Sequence, residues 1–159
     1  MGKIHVKASA LLNARSEDVY AMIAEYHHGH PSILPDNFYD LQVEKGGYGE
    51  GTIIRFKMKV LGLEQTLHQI VSEPEPGRVL VEQDIQSVQN IITIFSVTPV
   101  ENDQKSHVEI DTKMNTSPGL AGIVERIVVP IINPRIYAKE LKLLEAAAQR
   151  KRNSLAETH

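Results

Sequence analysis

Three groups of side chains carry enough chemistry to suggest a function. The first is His27, His28 and His30, set among Gly29, Pro31 and Pro35. Imidazole binds metals and moves protons near neutral pH. Neighbouring residues in a glycine-broken loop do not converge simply on one ion, and no HExxH spacing accompanies them. No metal is therefore expected. The cluster reads as a polar loop at the mouth of a site, from which His30 and Tyr26 could bond a ligand or gate its entry. The second group is Glu82 with Asp84, in VLVEQD. Apolar residues occupy both faces of that segment, so Glu82 can point inward or outward. An inward carboxyl would be desolvated, with its pKa raised toward values useful for proton transfer. A solvated edge charge is the simpler account. Glu82 and His30 are the two candidate catalytic residues. The third group is Gly46-Gly47-Tyr48-Gly49-Glu50-Gly51. It matches neither GxGxxG nor GxxxxGK[ST], and a strand pattern follows it. Without a helix N-terminus behind the loop, the case for an anion site is lost. A glycine hairpin is expected, with no nucleotide and no other cofactor.

Composition removes other chemistries. The chain has 159 residues and no cysteine, which rules out disulfides, thiolate nucleophiles and cysteine-based zinc sites. No GxSxG elbow is readable. Seventeen Lys and Arg against twenty Asp and Glu give a net charge of −3, which argues against a nucleic-acid partner. Arg150-Lys151-Arg152 reads as a favourable helix end. The opening segment lacks the apolar run of a signal peptide, and Leu120 to Tyr137 is interrupted by charges and prolines. No stable membrane insertion is expected, and a cytoplasmic location is the default.

Two helical patterns bracket a long β-rich middle. Ser16 is placed as the cap of a helix whose first turn carries Glu17 and Asp18, with Val19, Met22, Ile23 and Tyr26 along its apolar face. HHGHPSILP breaks it and leaves room for one more turn. From Asn37 to Thr116 the period becomes two: Ile54, Phe56, Met58 and Val60 alternate with Arg55, Lys57 and Lys59. Val108, Ile110, Thr112 and Met114 alternate in the same way. Further strands are placed near 38–45, 64–73, 78–85 and 89–98, and Ile4 to Leu12 brings the count to about seven. The short Gly- and Pro-marked joins suit antiparallel hairpins. After Ser117, Leu120, Ile123, Val124, Ile127, Val128 and Ile131 recur at helical spacing, continued by Ile136, Leu141, Leu144 and Ala148. Pro130 and Pro134 should kink this helix or bend its packing, and 153–159 should fray. A single α+β domain over 1–159 is expected, with an ordered core of about 4–150. In it a curved antiparallel sheet wraps a long C-terminal helix and encloses a cavity.

This order of elements, together with ASALLNARSEDVYAMIAEY, GEGTIIRFKMKV and VSEPEPGRVLVEQD, resembles the helix-grip proteins of the START-like (SRPBCC) superfamily, in its polyketide cyclase/dehydrase-like branch. The resemblance spans roughly Ile4 to Ala148. It implies a cavity for lipids, hormones, polyketides or other apolar molecules, with cyclisation, dehydration or hydrolysis in only some members. The fold alone fixes no function.

On the helix-facing side the alternation places Phe56, Met58, Leu67, Gln69, Thr93, Phe95, Thr112 and Met114, with Val71, Val97, Val108 and Ile110. The long helix adds Ile127, Ile131 and Tyr137. Plain core packing accounts equally well for the aliphatic members. Gln69, Thr93 and Thr112 are polar on otherwise apolar faces, where an unpaired group costs about 1–3 kcal/mol. A wet cavity or pairing with each other would relieve that cost equally. His68 alternates with Leu67 and Gln69 and should face water. The leading expectation is a protein that binds a small apolar or aromatic metabolite, with Tyr26, Gln69 and Thr93 fixing its orientation. The alternatives are a cyclase or dehydratase using Glu82 or His30, and a lipid-transfer or interaction protein. Either a monomer or a dimer fits the sequence.

Overall fold

The structure, a computed structural model, describes residues 2–157. Its frame is one antiparallel sheet: β1 (Lys3–Leu12), β2 (Phe38–Lys45), β3 (Ile53–Val60), β4 (Leu63–Glu75), β5 (Val79–Asp84), β6 (Ile92–Val100) and β7 (Lys105–Asn115). The spatial order is β1-β7-β6-β5-β4-β3-β2. Each strand from β2 to β7 hairpins onto the next, as the short joins require. β1 closes the far edge against β7, with Ala8 opposite Ile110. The period-two segments therefore become strands where the alternation places them, although β6 starts at Ile92 rather than at 89.

Three helices cover one face: α1 (Ser16–Ala24), α2 (Gly29–Ile33) and α3 (Leu120–Glu157). Ser16 is not the cap. It is the first helical residue, and its backbone N–H and hydroxyl both donate to Asp103 Oδ1 from the β6–β7 turn, at 3.0 and 2.7 Å. A distant carboxylate thus does what a local side chain was expected to do. The other end of α1 is held by the glycine loop between β2 and β3. Tyr26 N–H donates to Gly47 O at 2.8 Å, and Gly49 N–H donates to Ala24 O at 3.0 Å. Gly49 has φ +60°, and a Cβ there would lie 2.1 Å from Glu73 Oε1. The left-handed φ favours glycine there, and any Cβ would push the Glu73 carboxylate aside. The loop's function is to seat Tyr26.

The loop expected over residues 27–30 holds only for His27 and His28, which form a turn, with His28 at the edge of an open cavity. His27 and His28 are exposed, but His30 lies in α2 and is buried. Glu25 builds that short helix: its carboxylate accepts the N–H groups of His27, His28 and Gly29, each at 2.8 Å. Burial works to raise the Glu25 pKa, but the backbone donors of Gly29, His27 and His28 outweigh it, and the net shift is downward.

α3 runs unbroken through Pro130 and Pro134, and residues 153–157, expected to fray, continue it. Pro130 and Pro134 offer no N–H to the carbonyls of Arg126 and Pro130. Beyond them Ile136, Tyr137, Leu141, Leu144 and Ala148 are buried against the core. Asp18 on α1 anchors this half, accepting from Arg152 Nε at 2.8 Å. Before the prolines the apolar stripe faces outward: Ile127 is 62% exposed and Ile131 52%. These two residues do not line the interior. Helical spacing identifies an apolar face, and here its first half stands clear of the sheet.

Replacing Glu25 with alanine should remove the N-terminal cap of α2 and cost about 1–2 kcal/mol, read by urea unfolding near pH 7. Because the folded pKa is lowered, the wild-type advantage belongs to the ionised form. It should be present above the ordinary carboxylate pKa and vanish as pH falls through the folded one. A Glu25→Ala deficit that stays constant into acid would contradict this account.

Candidate functional site

The inner end of the fold holds a polar cluster inside an apolar shell. Glu82 on β5 is 5% exposed. It is therefore an inward carboxyl, not a solvated edge charge. The register sets Glu82 opposite Val71 of β4 and Thr93 of β6, both turned toward the helices. Tyr26 O–H donates to Glu82 Oε1 at 2.7 Å, and His30 Nε2 lies 3.4 Å from the same oxygen. His30 Nδ1 is 2.7 Å from the carbonyl of Ile23. A carbonyl only accepts, so Nδ1 carries the hydrogen, and Nε2 faces Glu82. Tyr26 stacks on His30, with ring centroids 4.5 Å apart, and Phe95 meets His30 edge-on at 5.8 Å. Burial, then the adjacent Glu82 charge, hold the Tyr26 pKa far above the ordinary phenol value. Tyr26 is a fixed donor here.

A second acid sits beside the first. Glu140 of α3 is 3% exposed, and its pKa is raised well above the ordinary 4.5, by burial first and by Glu82 second. Glu140 thus keeps its proton at pH values where an ordinary carboxyl has lost it. It did not stand out in the sequence, but it lies four residues after Ile136 and four before Leu144, on the helix face that packs inward. A charged residue at an apolar-face position was the available signal.

Of the expected polar trio, Thr93 and Thr112 pair with each other, while Gln69 does not join them. Thr93 Oγ1 is 2.9 Å from Thr112 Oγ1, which is 2.6 Å from the Tyr137 hydroxyl. Burial pushes the Tyr137 phenol up to about 12 despite these bonds. Gln69 Nε2 donates to Asp84 Oδ1 at 3.3 Å. His68 is half-buried beside Glu44, Nε2 to Oε1 3.3 Å.

These groups line a cavity of about 50 Å³ with His30, Phe56, Leu67, Gln69, Glu82, Thr93, Phe95, Tyr137 and Glu140 in its wall. That is room for a water or a ligand's head group, no more. Its wall also contains Met58, which is shared with a second, larger space. This outer groove holds about 510 Å³ and runs between the β3–β4 hairpin and the outward half of α3. Val60, Leu63, Met114, Val124, Val128 and Val129 give it an apolar lining. The predicted residues thus separate. Phe56, Leu67, Gln69, Thr93, Phe95, Glu82 and His30 meet at the inner cavity. Met58 borders both spaces and Met114 lines the groove. Tyr26 and Thr112 support the inner wall, and Ile127 and Ile131 belong to neither space. Leu34, Phe38 and Leu41, unforeseen, complete the inner wall. Among the described residues no group of three His, Asp or Glu side chains converges as a metal site, and no helix is long and apolar enough to cross a membrane.

The raised Glu140 pKa has a stability consequence with a definite sign. The folded protein binds this proton more tightly than the unfolded chain, so the stability is fully present below the unfolded pKa. It is lost as pH rises through the folded one, at no more than about 1.4 kcal/mol per pH unit. Glu140→Gln keeps the volume and removes the titration. Its melting temperature should gain on wild type steadily as pH rises above 4.5, the ordinary value for this group. Parallel pH profiles would show that Glu140 ionises normally.

Comparison with known proteins agrees with this architecture. No curated protein sequence matches. Among solved structures, the KanY protein, determined by NMR in solution, superposes with a TM-score of 0.78 at 25% identity, covering 94% of this chain and 99% of its own. The Zhui aromatase/cyclase from Streptomyces sp. R1128 gives 0.79 at 15% identity, covering 94% and 96%. Norcoclaurine synthase from Thalictrum flavum, solved with dopamine and hydroxybenzaldehyde, gives 0.70 at 16%, covering 94% and 88%. At such identities the last two show the shared helix-grip fold alone. The family model described as polyketide cyclase / dehydrase and lipid transport matches residues 3–149, and the chain therefore belongs to that family.

Proposed function

We propose that this chain acts as a START-like unit that binds a small apolar or aromatic molecule between the sheet and α3 and eliminates water from it by acid–base catalysis. One observation carries the reading: Glu82, which accepts from Tyr26 and lies 3.4 Å from His30, lines the same small cavity as His30 and a proton-retaining Glu140, and that cavity shares Met58 with an apolar groove. Two buried carboxyls are a poor way to stabilise a core, and buried perturbed acids in a cleft are what proton-transfer catalysis requires.

The groove volume of about 510 Å³ suits the body of a small ligand, held by apolar burial worth roughly 25 cal/mol per Å². The inner cavity receives only its polar end. On a β-hydroxy ketone, Glu82 with His30 takes the proton from the carbon next to the carbonyl. The freed electron pair forms the C=C bond while the C–O bond breaks. Glu140 gives its proton to the departing oxygen, which leaves as water. The proton on the Glu82–His30 pair then returns to solvent and Glu140 is reprotonated, so the cycle closes. Tyr26 holds Glu82 in place throughout. Carrier function without chemistry is the second reading. The exposed apolar stripe of α3 favours it, with Leu120 80% exposed and Ile127 62%.

The readings separate on a phenyl-substituted β-hydroxy ketone that dehydrates to benzylideneacetone, followed by the ultraviolet absorbance of the conjugated product. Wild type should accelerate the reaction. Glu82→Gln and His30→Ala should each lower turnover by about 10²–10⁴ with little change in affinity. No acceleration by wild type, together with tight binding of the product, would establish the carrier reading instead. Filling the groove with Val128→Trp should weaken naphthalene binding by about tenfold, or 1.4 kcal/mol, and unchanged affinity would place the ligand elsewhere.

A further inference from the structure

The geometry points to Gln69 Oε1 as the acceptor that selects a hydroxyl-bearing head group at the inner cavity, an assignment that rests on the ligand-binding reading above. Gln69 of β4 stands opposite Asp84 of β5. The Asp84 carboxylate is committed: Oδ1 accepts from Gln69 Nε2 at 3.3 Å, and Oδ2 accepts the Ile91 N–H at 2.9 Å. A carboxylate without a proton can only accept, so the amide must turn its NH₂ toward Asp84. That fixes the direction of Oε1. Gln69 is 2% exposed, and among the described residues no donor reaches Oε1. It is an oriented, buried, unmet acceptor in the cavity wall.

Several nearby donors are committed elsewhere, while the Glu140 O–H and one hydrogen of the Thr93–Thr112–Tyr137 set remain. Tyr26 gives its hydrogen to Glu82 and His30 Nδ1 gives its own to Ile23 O. Thr93, Thr112 and Tyr137 are bonded to one another. No Lys or Arg is among the lining residues, whereas two carboxyls are. Such a wall welcomes a head group that donates and repels one that carries negative charge, because a buried anion without a partner is strongly disfavoured. A phenol or alcohol satisfies Gln69 Oε1. A carboxylate or phosphate brings negative charge beside two carboxyls, with no Lys or Arg in the wall to offset it.

The test uses the full chain with three bicyclic probes of similar size, followed by fluorescence titration: 2-naphthol, 2-methoxynaphthalene and 2-naphthoate. The ether keeps the oxygen but cannot donate. Wild type should bind 2-naphthol about tenfold more tightly than the ether, as expected for one buried hydrogen bond, with 2-naphthoate weakest. In Gln69→Leu the naphthol-to-ether ratio should fall to near one while the ether's own affinity holds. Equal binding of naphthol and ether by wild type overturns the assignment, whether or not the variant folds. So does 2-naphthoate binding as tightly as 2-naphthol, or an undiminished ratio in folded Gln69→Leu. If the ether still binds and Val128→Trp weakens it, the groove survives and only the role of Gln69 fails. If none of the three binds, the ligand-binding reading falls with it.

Discussion

A carboxyl group in the middle of β5 cannot sit inside an apolar core unless donors are brought to it, and much of this fold is arranged around that demand. Glu82 receives its hydrogen from Tyr26 and faces His30, two residues just beyond α1. Neither would be there on the strength of helix propensity alone. Tyr26 is seated by the backbone of Gly47, and the glycine loop can come that close because Gly49 has no side chain to meet Glu73. His30 is seated by α2, a helix of one turn that is too short to hold itself together and is organised by the Glu25 carboxylate. Loop, cap and short helix are thus one device, and its output is the environment of a single side chain.

α3 divides the interior into two regimes. Its C-terminal half is anchored by Asp18 and Arg152 and delivers Tyr137 and Glu140 against the sheet. Its N-terminal half carries an equally apolar stripe but leaves it outside, at the rim of the groove. The change falls at Pro130 and Pro134, where two backbone hydrogen bonds of the helix are missing and its stiffness is lowest. A fully docked helix would fill the groove with its own isoleucines and valines. The outward half therefore keeps an apolar volume open next to a closed polar one, and Met58 stands between them.

Much of this was legible in the sequence. Alternation in β3 and β7 named the strands and their inward residues, and Phe56, Leu67, Gln69, Thr93 and Phe95 do meet at one cavity. What failed has physical causes. In VLVEQD the central strand is flanked by apolar residues on both faces, so period two gives no facing for Glu82. Helical spacing put Ile127 and Ile131 on the same stripe as the buried residues beyond the prolines, but spacing cannot say whether a helix touches the sheet. His30 looked like a loop residue because nothing in HHGHPSILP shows that Glu25, one turn back, would cap a helix there. Asp103 replaced Ser16 as the cap through a contact across 87 positions, which no local pattern contains. Glu140 alone was a missed inference, since its place on the inward face followed from Ile136 and Leu144.

The pairing of the two acids follows from the same electrostatics. Glu82 and Glu140 share a site of low polarity, so the charge of one raises the cost of ionising the other. Tyr26 donates to Glu82 only, and His30 faces Glu82 only. Burial, and then the neighbouring Glu82, keep the proton on Glu140 of α3. In the proposed reaction this asymmetry would give two chemically identical groups opposite roles, acceptor and donor, at a cavity with room for one head group. A core that buried the same two carboxyls without the Tyr26–His30 bias would hold one proton between them with no preferred side. It could bind a ligand there, but it would have no direction in which to move a proton across it.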